Sequence, residues 1–245
     1  MTAPLAADGR AVVVAVDHGL YSWPVAGLED RAGLVAAVCE AGADGVIASY
    51  GTLRAGREAF ADAARILKLD LTTITLDGYA DTEFALAWTV DDARRLGADA
   101  VLTLIQLGTP FELDTLRAAA RVGADADAAG IPYVCEILPY ESERFPDAFA
   151  PDAVAAAART AAELGATVVK TSMPSPPDAI EAACSCGVPV LVAGGDLRED
   201  REELFAATER AVEAGAAGVA YGRNVWGSAD PAATVRRLVE IVHRP

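Results

Sequence analysis

Residues 165–172 read Gly165-Ala166-Thr167-Val168-Val169-Lys170-Thr171-Ser172. The second part of this stretch is apolar and β-branched, as in a buried strand, and the glycine is the residue type that ends a preceding helix. One lysine interrupts the strand. The chain has two lysines, Lys68 and Lys170, against eighteen arginines, and both lie in apolar, strand-like runs. Because a buried ammonium group is costly unless it is paired, solvated or used chemically, Lys170 is the first candidate for a functional residue.

The glycine turn before this strand has three counterparts elsewhere in the chain. Each counterpart is a Gly-Ala pair that leads into an apolar strand: Gly42-Ala43, Gly97-Ala98 and Gly215-Ala216. A fourth match, Gly123-Ala124, lies in the middle of a predicted helix, so the motif alone is weak. The turns precede every second predicted strand, which is typical of a (β/α)₈ barrel built from βαβα quarters.

Strand and helix patterns alternate from one end of the chain to the other, and we predict eight of each. The strands are apolar throughout rather than alternating, which indicates a parallel sheet covered by helices. We therefore predict an α/β fold, a (β/α)₈ TIM barrel in which residues 1–245 form a single domain; an open doubly wound sheet is the alternative. Helices are expected over residues 53–65 and 81–96, and a long loop over residues 139–151.

Composition excludes several classes of function. The 245 residues are 53% hydrophobic and carry a net charge of −16, which disfavours nucleic acid and anionic membrane surfaces as partners. No apolar run approaches the roughly 20 residues of a membrane span, and no signal peptide is evident, so a cytoplasmic protein is expected. Four cysteines without metal-type spacing and two histidines predict no metal site, and no cofactor is expected.

The barrel prediction brings polar residues from distant parts of the chain together. The active site of such a barrel lies at the carboxyl ends of its strands. Asp17 and His18 end the first strand, Glu136 and Tyr140 lie at or beyond the end of the fifth, and Lys170 is on the sixth. A lysine in a dry barrel has a lowered pKa and, once neutral, attacks a carbonyl to form a Schiff base. The alternative is a buried structural ion pair between Lys170 and a carboxylate.

Glycines at the ends of the last two strands predict a phosphate site. Gly194 and Gly195 end the seventh strand, and Gly222 and Arg223 end the eighth. Glycines let backbone N–H groups approach an anion closely, loops at these two positions commonly bind phosphate in such barrels, and arginine supplies a matching charge. The alternative for each glycine pair is a simple turn.

Other residues remain open between two roles. Lys68 and Asp70 are expected to form a salt bridge inside or below the barrel, although Lys68 could instead be a second cation of the site. His18 either shuttles protons or holds its loop by hydrogen bonds. Tyr21 and Trp23 either cover the pocket or only pack in their loop, and His243 is expected to be exposed.

At this point the sequence resembles a known family. Four segments carry the likeness, and they fall on the first, sixth, seventh and eighth strands: residues 15–19 (AVDHG), 169–171 (VKT), 192–195 (VAGG) and 221–226 (YGRNVW). They are similar to the archaeal-type class I fructose-bisphosphate aldolases, the DhnA/DeoC-like barrels. The resemblance implies Lys170 as the Schiff-base lysine, Asp17 as an acid/base or orienting group, and the four residues of the two strand ends as the phosphate site.

The fifth strand departs from that family. Its aldolases and heptulosonate synthases usually have Tyr-Pro-Arg-Gly after this strand, with the tyrosine as proton donor. Here residues 135–141 read CEILPYE, and Leu138 takes the place of the tyrosine. This pattern is closer to the tagatose-bisphosphate aldolases, in which a glutamate of the strand moves protons. The resemblance therefore implies Glu136 as the proton-transfer group, with Tyr140 second.

Together these inferences predict a class I, metal-independent aldolase, a lyase that acts on a phosphorylated ketose with dihydroxyacetone phosphate or a similar ketone as donor. One alternative is a transaldolase or an aminodideoxyheptulosonate-type synthase. Another is a non-catalytic phosphosugar-sensing barrel. The expected partner is a small sugar phosphate, and the resemblance also implies a homo-oligomer.

Overall fold

The fold was analysed in a computed structural model, which describes residues 4–20, 25–72 and 84–244. Eight parallel strands form a closed barrel in which the last strand pairs with the first: Val13 lies beside Ala220 on one side and Gly45 on the other. The barrel strands are β1 (Ala11–Ala15), β2 (Gly45–Ala48), β3 (Ala64–Lys68), β6 (Ala100–Leu107), β7 (Tyr133–Pro139), β8 (Val168–Ser172), β9 (Val190–Ala193) and β10 (Gly218–Tyr221). The predicted (β/α)₈ barrel is confirmed, and the open sheet is excluded.

Helices cover the outside of the barrel, as the apolar strands require. The α-helices among the described residues are α1 (Arg31–Glu40), α2 (Tyr50–Ala55), α3 (Val90–Leu96), α4 (Glu112–Ala129), α5 (Pro151–Glu163), α6 (Glu181–Cys184), α7 (Arg201–Glu213), α8 (Arg223–Trp226) and α9 (Pro231–Val242). Short 3₁₀ turns follow β1 (Asp17–Leu20) and α2 (Arg57–Phe60), and a third precedes α6 (Pro177–Ile180).

Two helix predictions were wrong in extent. The helix expected over residues 53–65 starts and ends earlier, at Tyr50–Ala55, and the chain is already in β3 at Ala64. Part of the helix expected over residues 81–96 is a strand: β5 (Phe84–Leu86) pairs antiparallel with β4 (Asp70–Thr72) beside the barrel. A capping box between Thr89 and Asp92 begins α3 at Val90, because Thr89 accepts from the backbone of Asp92 and Asp92 accepts from that of Thr89.

The repeated glycine turns have the backbone conformation that their sequence predicts. Gly42, Gly97, Gly165 and Gly215 all have positive φ, between 75° and 106°. Because residues with a Cβ rarely adopt this conformation, each glycine ends a helix and turns the chain into the next strand. Gly123, the mid-helix match, serves packing instead: a Cβ there would lie 2.2 Å from the backbone oxygen of Leu164.

The inside of the barrel is apolar below and charged above. Small and branched residues from alternate positions of the strands fill the lower part, among them Val13, Ile47, Leu102 and Leu191. The same alternation directs Lys68, Glu136 and Lys170 inward, nearer to the carboxyl ends of their strands. The charged groups therefore lie in one layer at the mouth of the barrel, which is the end formed by the carboxyl ends of the strands. The apolar layer lies beneath them.

Candidate active site

Lys170 and Glu136 are neighbours across two adjacent strands. The register of β7 and β8 places the two residues side by side, and Lys170 Nζ lies 2.6 Å from Glu136 Oε1. Lys170 is 6% exposed and Glu136 9% exposed. Two inward residues at the same level of a parallel barrel necessarily share the interior, so the strand register creates this pair. A carboxylate at hydrogen-bond distance from the amine is also positioned to exchange a proton with it.

Lys68 forms the salt bridge predicted for it. Its Nζ lies 2.8 Å from Asp70 Oδ1, and both residues are fully buried. Asp70 Oδ2 accepts a hydrogen bond of 2.8 Å from the backbone N–H of Leu104. Burial alone would lower the pKa of Lys68, but the carboxylates around it, first that of Asp70, raise it above its ordinary value. Lys68 is therefore a permanent cation at the edge of the site.

Asp17 and His18 lie at the end of β1, in the 3₁₀ turn. The two side chains approach to 3.7 Å, between His18 Nδ1 and Asp17 Oδ1. Burial alone would raise the pKa of Asp17, but the neighbouring basic side chains, His18 first and then the two lysines, lower it. Burial lowers the pKa of His18, which favours the neutral imidazole. The site therefore combines an anionic Asp17 with a neutral histidine.

Tyr140 follows β7 directly, at the carboxyl end of the strand. Burial raises the pKa of its phenol to about 12, although Lys68 and Arg223 act in the opposite direction. The phenol therefore keeps its proton near neutral pH and acts as a donor rather than as a base. Tyr21 and Trp23, which the sequence offers as a cover for the pocket, lie outside the described residues.

The ends of β9 and β10 form one connected structure. Gly195 has a φ of 66°. Gly222 lies so close to the first strand that a Cβ would be 2.6 Å from His18 Cε1 and 3.0 Å from the backbone oxygen of Ala15. At Gly194 a Cβ would be 2.9 Å from the ring of Tyr221. Glycine is thus required at the strand ends by close approach, whether or not an anion binds there.

Arg223 extends from this region and pairs with Asp196. Its Nη1 lies 2.5 Å from Asp196 Oδ1, and the Asp196 side chain is 91% exposed. An ion pair with such an exposed partner is weak and easily exchanged. The guanidinium is therefore available to an anion that competes with this carboxylate.

Sequence reasoning missed the residue that joins the two loops. Asn224 is fully buried, and its Nδ2 donates to the backbone oxygens of Gly194 and Asp196, both at 2.8 Å. Its Oδ1 accepts from the N–H of Arg198 at 2.9 Å. The signal in the sequence was a polar residue in an otherwise apolar segment (NVW), directly after the Gly-Arg pair. A second residue that sequence reasoning missed is Gln106 of β6, which is fully buried.

With this geometry in place, the family can be assigned. Residues 11–228 match the family described as DeoC/LacD family aldolase. The chain belongs to this aldolase family. It is therefore an enzyme, a lyase, and the matched range contains Asp17, Glu136, Lys170 and the β9 and β10 loops. The match also weighs against the non-catalytic sensing barrel.

The chain is also similar to individual named proteins over nearly its whole length. It is 35% identical to a 2-amino-3,7-dideoxy-D-threo-hept-6-ulosonate synthase of Halobacterium salinarum, over 98% of this chain and 89% of that protein. It is 31% identical to a 2-amino-4,5-dihydroxy-6-oxo-7-(phosphonooxy)heptanoate synthase of Streptomyces griseus, over 96% of this chain and 85% of that protein.

Among solved structures, a Schiff-base-forming fructose-1,6-bisphosphate aldolase shares 32% identity with a TM-score of 0.88, covering 98% of this chain and 96% of that one. An archaeal fructose-1,6-bisphosphate aldolase, solved with its catalytic lysine bound to the carbinolamine intermediate of the substrate, shares 30% identity with a TM-score of 0.87, over 98% of this chain and 96% of that one. None of the helices that the structure describes has the length and apolar character of a membrane span.

Proposed function

We propose that this chain is a class I aldolase that makes or breaks a C–C bond in a phosphorylated ketose through a Schiff base on Lys170. The observation that carries the proposal is the Lys170–Glu136 pair, 2.6 Å apart at the mouth of a barrel of this aldolase family. A likeness to aldolases that form a Schiff base on lysine supports it.

Glu136 serves proton transfer in this proposal. It takes a proton from the Lys170 ammonium, and the free amine attacks the ketone carbon of the donor to give a carbinolamine. Glu136 then returns the proton to the carbinolamine hydroxyl, which leaves as water, and the protonated imine forms. The imine withdraws electrons from the adjacent carbon, so the neighbouring C–C bond can break or form.

The remaining charged groups stabilise this sequence of steps. Asp17 is a buried anion whose lowered pKa keeps it ionised beside the two lysines, and it stabilises the positive imine. The protonated Tyr140 and the neutral His18 donate and relay protons to the hydroxyl groups of the substrate. Lys68 holds Asp70 and adds a fixed positive charge next to Asp17.

The phosphate of the substrate binds, in this proposal, at Gly194, Gly195, Gly222 and Arg223. The phosphate replaces Asp196 on the guanidinium, because a dianion competes well with an exposed carboxylate. The ring order of the strands supports the arrangement: β8, with Lys170, is adjacent to β9. A donor held by its phosphate at β9 and β10 thus presents its ketone to the lysine.

Borohydride trapping tests the proposal. Dihydroxyacetone phosphate is incubated with the enzyme, the imine is reduced, and the adduct is located by peptide mass. We expect a stoichiometric adduct on Lys170 with this donor and a much weaker one with unphosphorylated dihydroxyacetone at the same concentration. An adduct on another residue, or none, would refute the assignment of Lys170. Equal trapping of the two ketones would refute the phosphate site alone.

A second candidate is a transaldol-type or aminodideoxyheptulosonate-type synthesis by the same imine. The identity to the heptulosonate synthase of Halobacterium salinarum favours it. A panel of donors and acceptors separates the two functions, because they differ in the pair of substrates that the enzyme joins. The homo-oligomer, the cytoplasmic location and the single domain remain predictions from the sequence.

A further inference from the structure

Gln106 lies near the carboxyl end of β6 and points into the barrel. Its neighbours Ile105 and Leu107 pack in the apolar layer between strands and helices. Because side chains alternate along a strand, Gln106 faces the opposite way, toward the interior. The pairing of β6 with β7 runs without a bulge from Val101 to Leu107, so this alternation holds over the whole strand.

The side-chain amide of Gln106 has no hydrogen-bond partner among residues 4–20, 25–72 and 84–244. The residue is fully buried, and neither atom of its amide has a hydrogen bond within the part of the chain that the structure describes. Its backbone is held normally, since its N–H donates to Thr115 Oγ1. The other buried polar side chain of this strand, Thr103, is paired with the hydroxyl of Tyr133. An unpaired buried amide is rare and destabilising, which indicates a group that a ligand satisfies.

The position of Gln106 relates it to the reacting atoms. Going round the barrel from the phosphate loops, Lys170 is on β8, Glu136 on the next strand and Gln106 on the one after. The strand register places Leu104 level with Glu136 and Lys170. Gln106 is two residues further along, about 7 Å nearer to the mouth at the rise of a β-strand. It thus lies beyond the lysine, on the side away from the phosphate loops.

We propose that Gln106 is a specificity-determining residue that hydrogen-bonds to a hydroxyl group of the acceptor aldehyde. The inference rests on the proposed function, in which the donor extends from the phosphate loops to Lys170 and the acceptor occupies the side beyond. A glutamine amide both donates and accepts, as a hydroxyl group does, so one hydroxyl can satisfy it. The acceptor reaches the amide by displacing the side chains that cover it.

A polar site of this kind selects strongly against analogues that lack the hydroxyl group, because the buried amide then stays unpaired. Gln106 would therefore make the enzyme prefer hydroxylated acceptors over deoxygenated aldehydes of equal size.

The test compares Gln106→Met with the wild type, using dihydroxyacetone phosphate as donor and two three-carbon acceptors, glyceraldehyde and propanal. Methionine keeps the length of the side chain without its polar atoms. We expect kcat/KM for glyceraldehyde to fall about tenfold or more while that for propanal changes less than about threefold. The variant should also melt at a higher temperature, since it removes an unpaired buried amide. Thr115→Ala removes the acceptor of the Gln106 backbone N–H and leaves the Gln106 side chain intact, so it should leave the ratio of the two acceptors unchanged.

The outcomes separate this inference from the proposed function. Borohydride trapping of dihydroxyacetone phosphate needs no acceptor and should be equal in wild type and variant. Normal trapping with an unchanged glyceraldehyde-to-propanal ratio would refute the role of Gln106 alone. Absence of trapping in both proteins would refute the Schiff base and this inference with it. If Gln106→Met fails to fold, Gln106→Leu provides the same comparison.

Discussion

Two lysine–carboxylate pairs lie in the same barrel and differ in how their carboxylates are held. The pairs have similar lengths, 2.6 Å for Lys170–Glu136 and 2.8 Å for Lys68–Asp70. Asp70 is fully buried and accepts a second hydrogen bond from the backbone of Leu104. Glu136 retains 12% of its side-chain exposure. In the proposed function, the fully buried Lys68–Asp70 pair serves structure, and the Lys170–Glu136 pair, whose carboxylate is partly exposed, serves chemistry.

The largest expected effect is the loss of activity in Lys170→Met. Removal of a covalent nucleophile should lower kcat by about 10⁴-fold or more. The free energy of unfolding should change little by comparison, because Glu136 can be hydrated or protonated at the mouth. Activity assays together with urea unfolding measure both quantities. A variant that unfolds easily but retains activity would assign Lys170 a structural role only.

Lys68→Met should have the opposite profile. It leaves Asp70 charged, buried and without its partner, which should cost about 3–5 kcal/mol of unfolding free energy. Adding Asp70→Asn removes the stranded charge, so the double variant should recover most of this loss. Urea unfolding of the two single variants and the double variant measures the coupling. If Lys68→Met is as stable as the wild type, the two pairs do not differ in the way described.

Glu136→Gln tests the role of the carboxylate in the Lys170–Glu136 pair. Loss of the proton-transfer group should slow imine formation by about 10²-fold while the trapped adduct still accumulates on Lys170. The rate of inactivation by borohydride in the presence of dihydroxyacetone phosphate measures how fast the imine forms. Tyr140→Phe is the matched control. If that variant slows imine formation and Glu136→Gln does not, the tyrosine is the proton donor.

The smallest expected effect concerns His243, which pairs with two aspartates at the amino end of the barrel. His243 was predicted to be exposed, which is wrong: its ring nitrogens lie 2.7 Å from Asp8 Oδ2 and 2.9 Å from Asp44 Oδ2. Partial burial opposes the charged form, but the hydrogen bonds with the two aspartates raise the pKa of His243.

A raised pKa means that this contribution to stability is fully present below the ordinary histidine value of about 6.5 and is lost as the pH rises through the folded-state pKa. We therefore expect wild type to melt above His243→Gln at about pH 6 and the two to converge at about pH 9. Melting temperatures across this range are the measurement. A constant difference would show that packing rather than charge holds His243.

The sequence predicted those features that depend on local pattern. Apolar strands and glycine turns were enough for the barrel, and the barrel rule placed Lys170 and Glu136 on neighbouring strands at the same end. What it could not supply were contacts between distant residues. No pattern around Asp8 predicts its contact with His243. Likewise, β5 pairs with β4 although its residues were predicted to be part of a helix. That the Gln106 amide lacks a hydrogen bond among the described residues can be seen only in the folded structure.

The three hydrogen bonds of Asn224 have a consequence for how this barrel can change. They tie the loop after β9 to the loop after β10 through one buried amide. A change in the length or direction of either loop alone would break hydrogen bonds of the Asn224 amide. Because this amide is buried, water cannot replace those bonds. Within this scaffold the loops after β9 and β10 should accordingly vary as a unit.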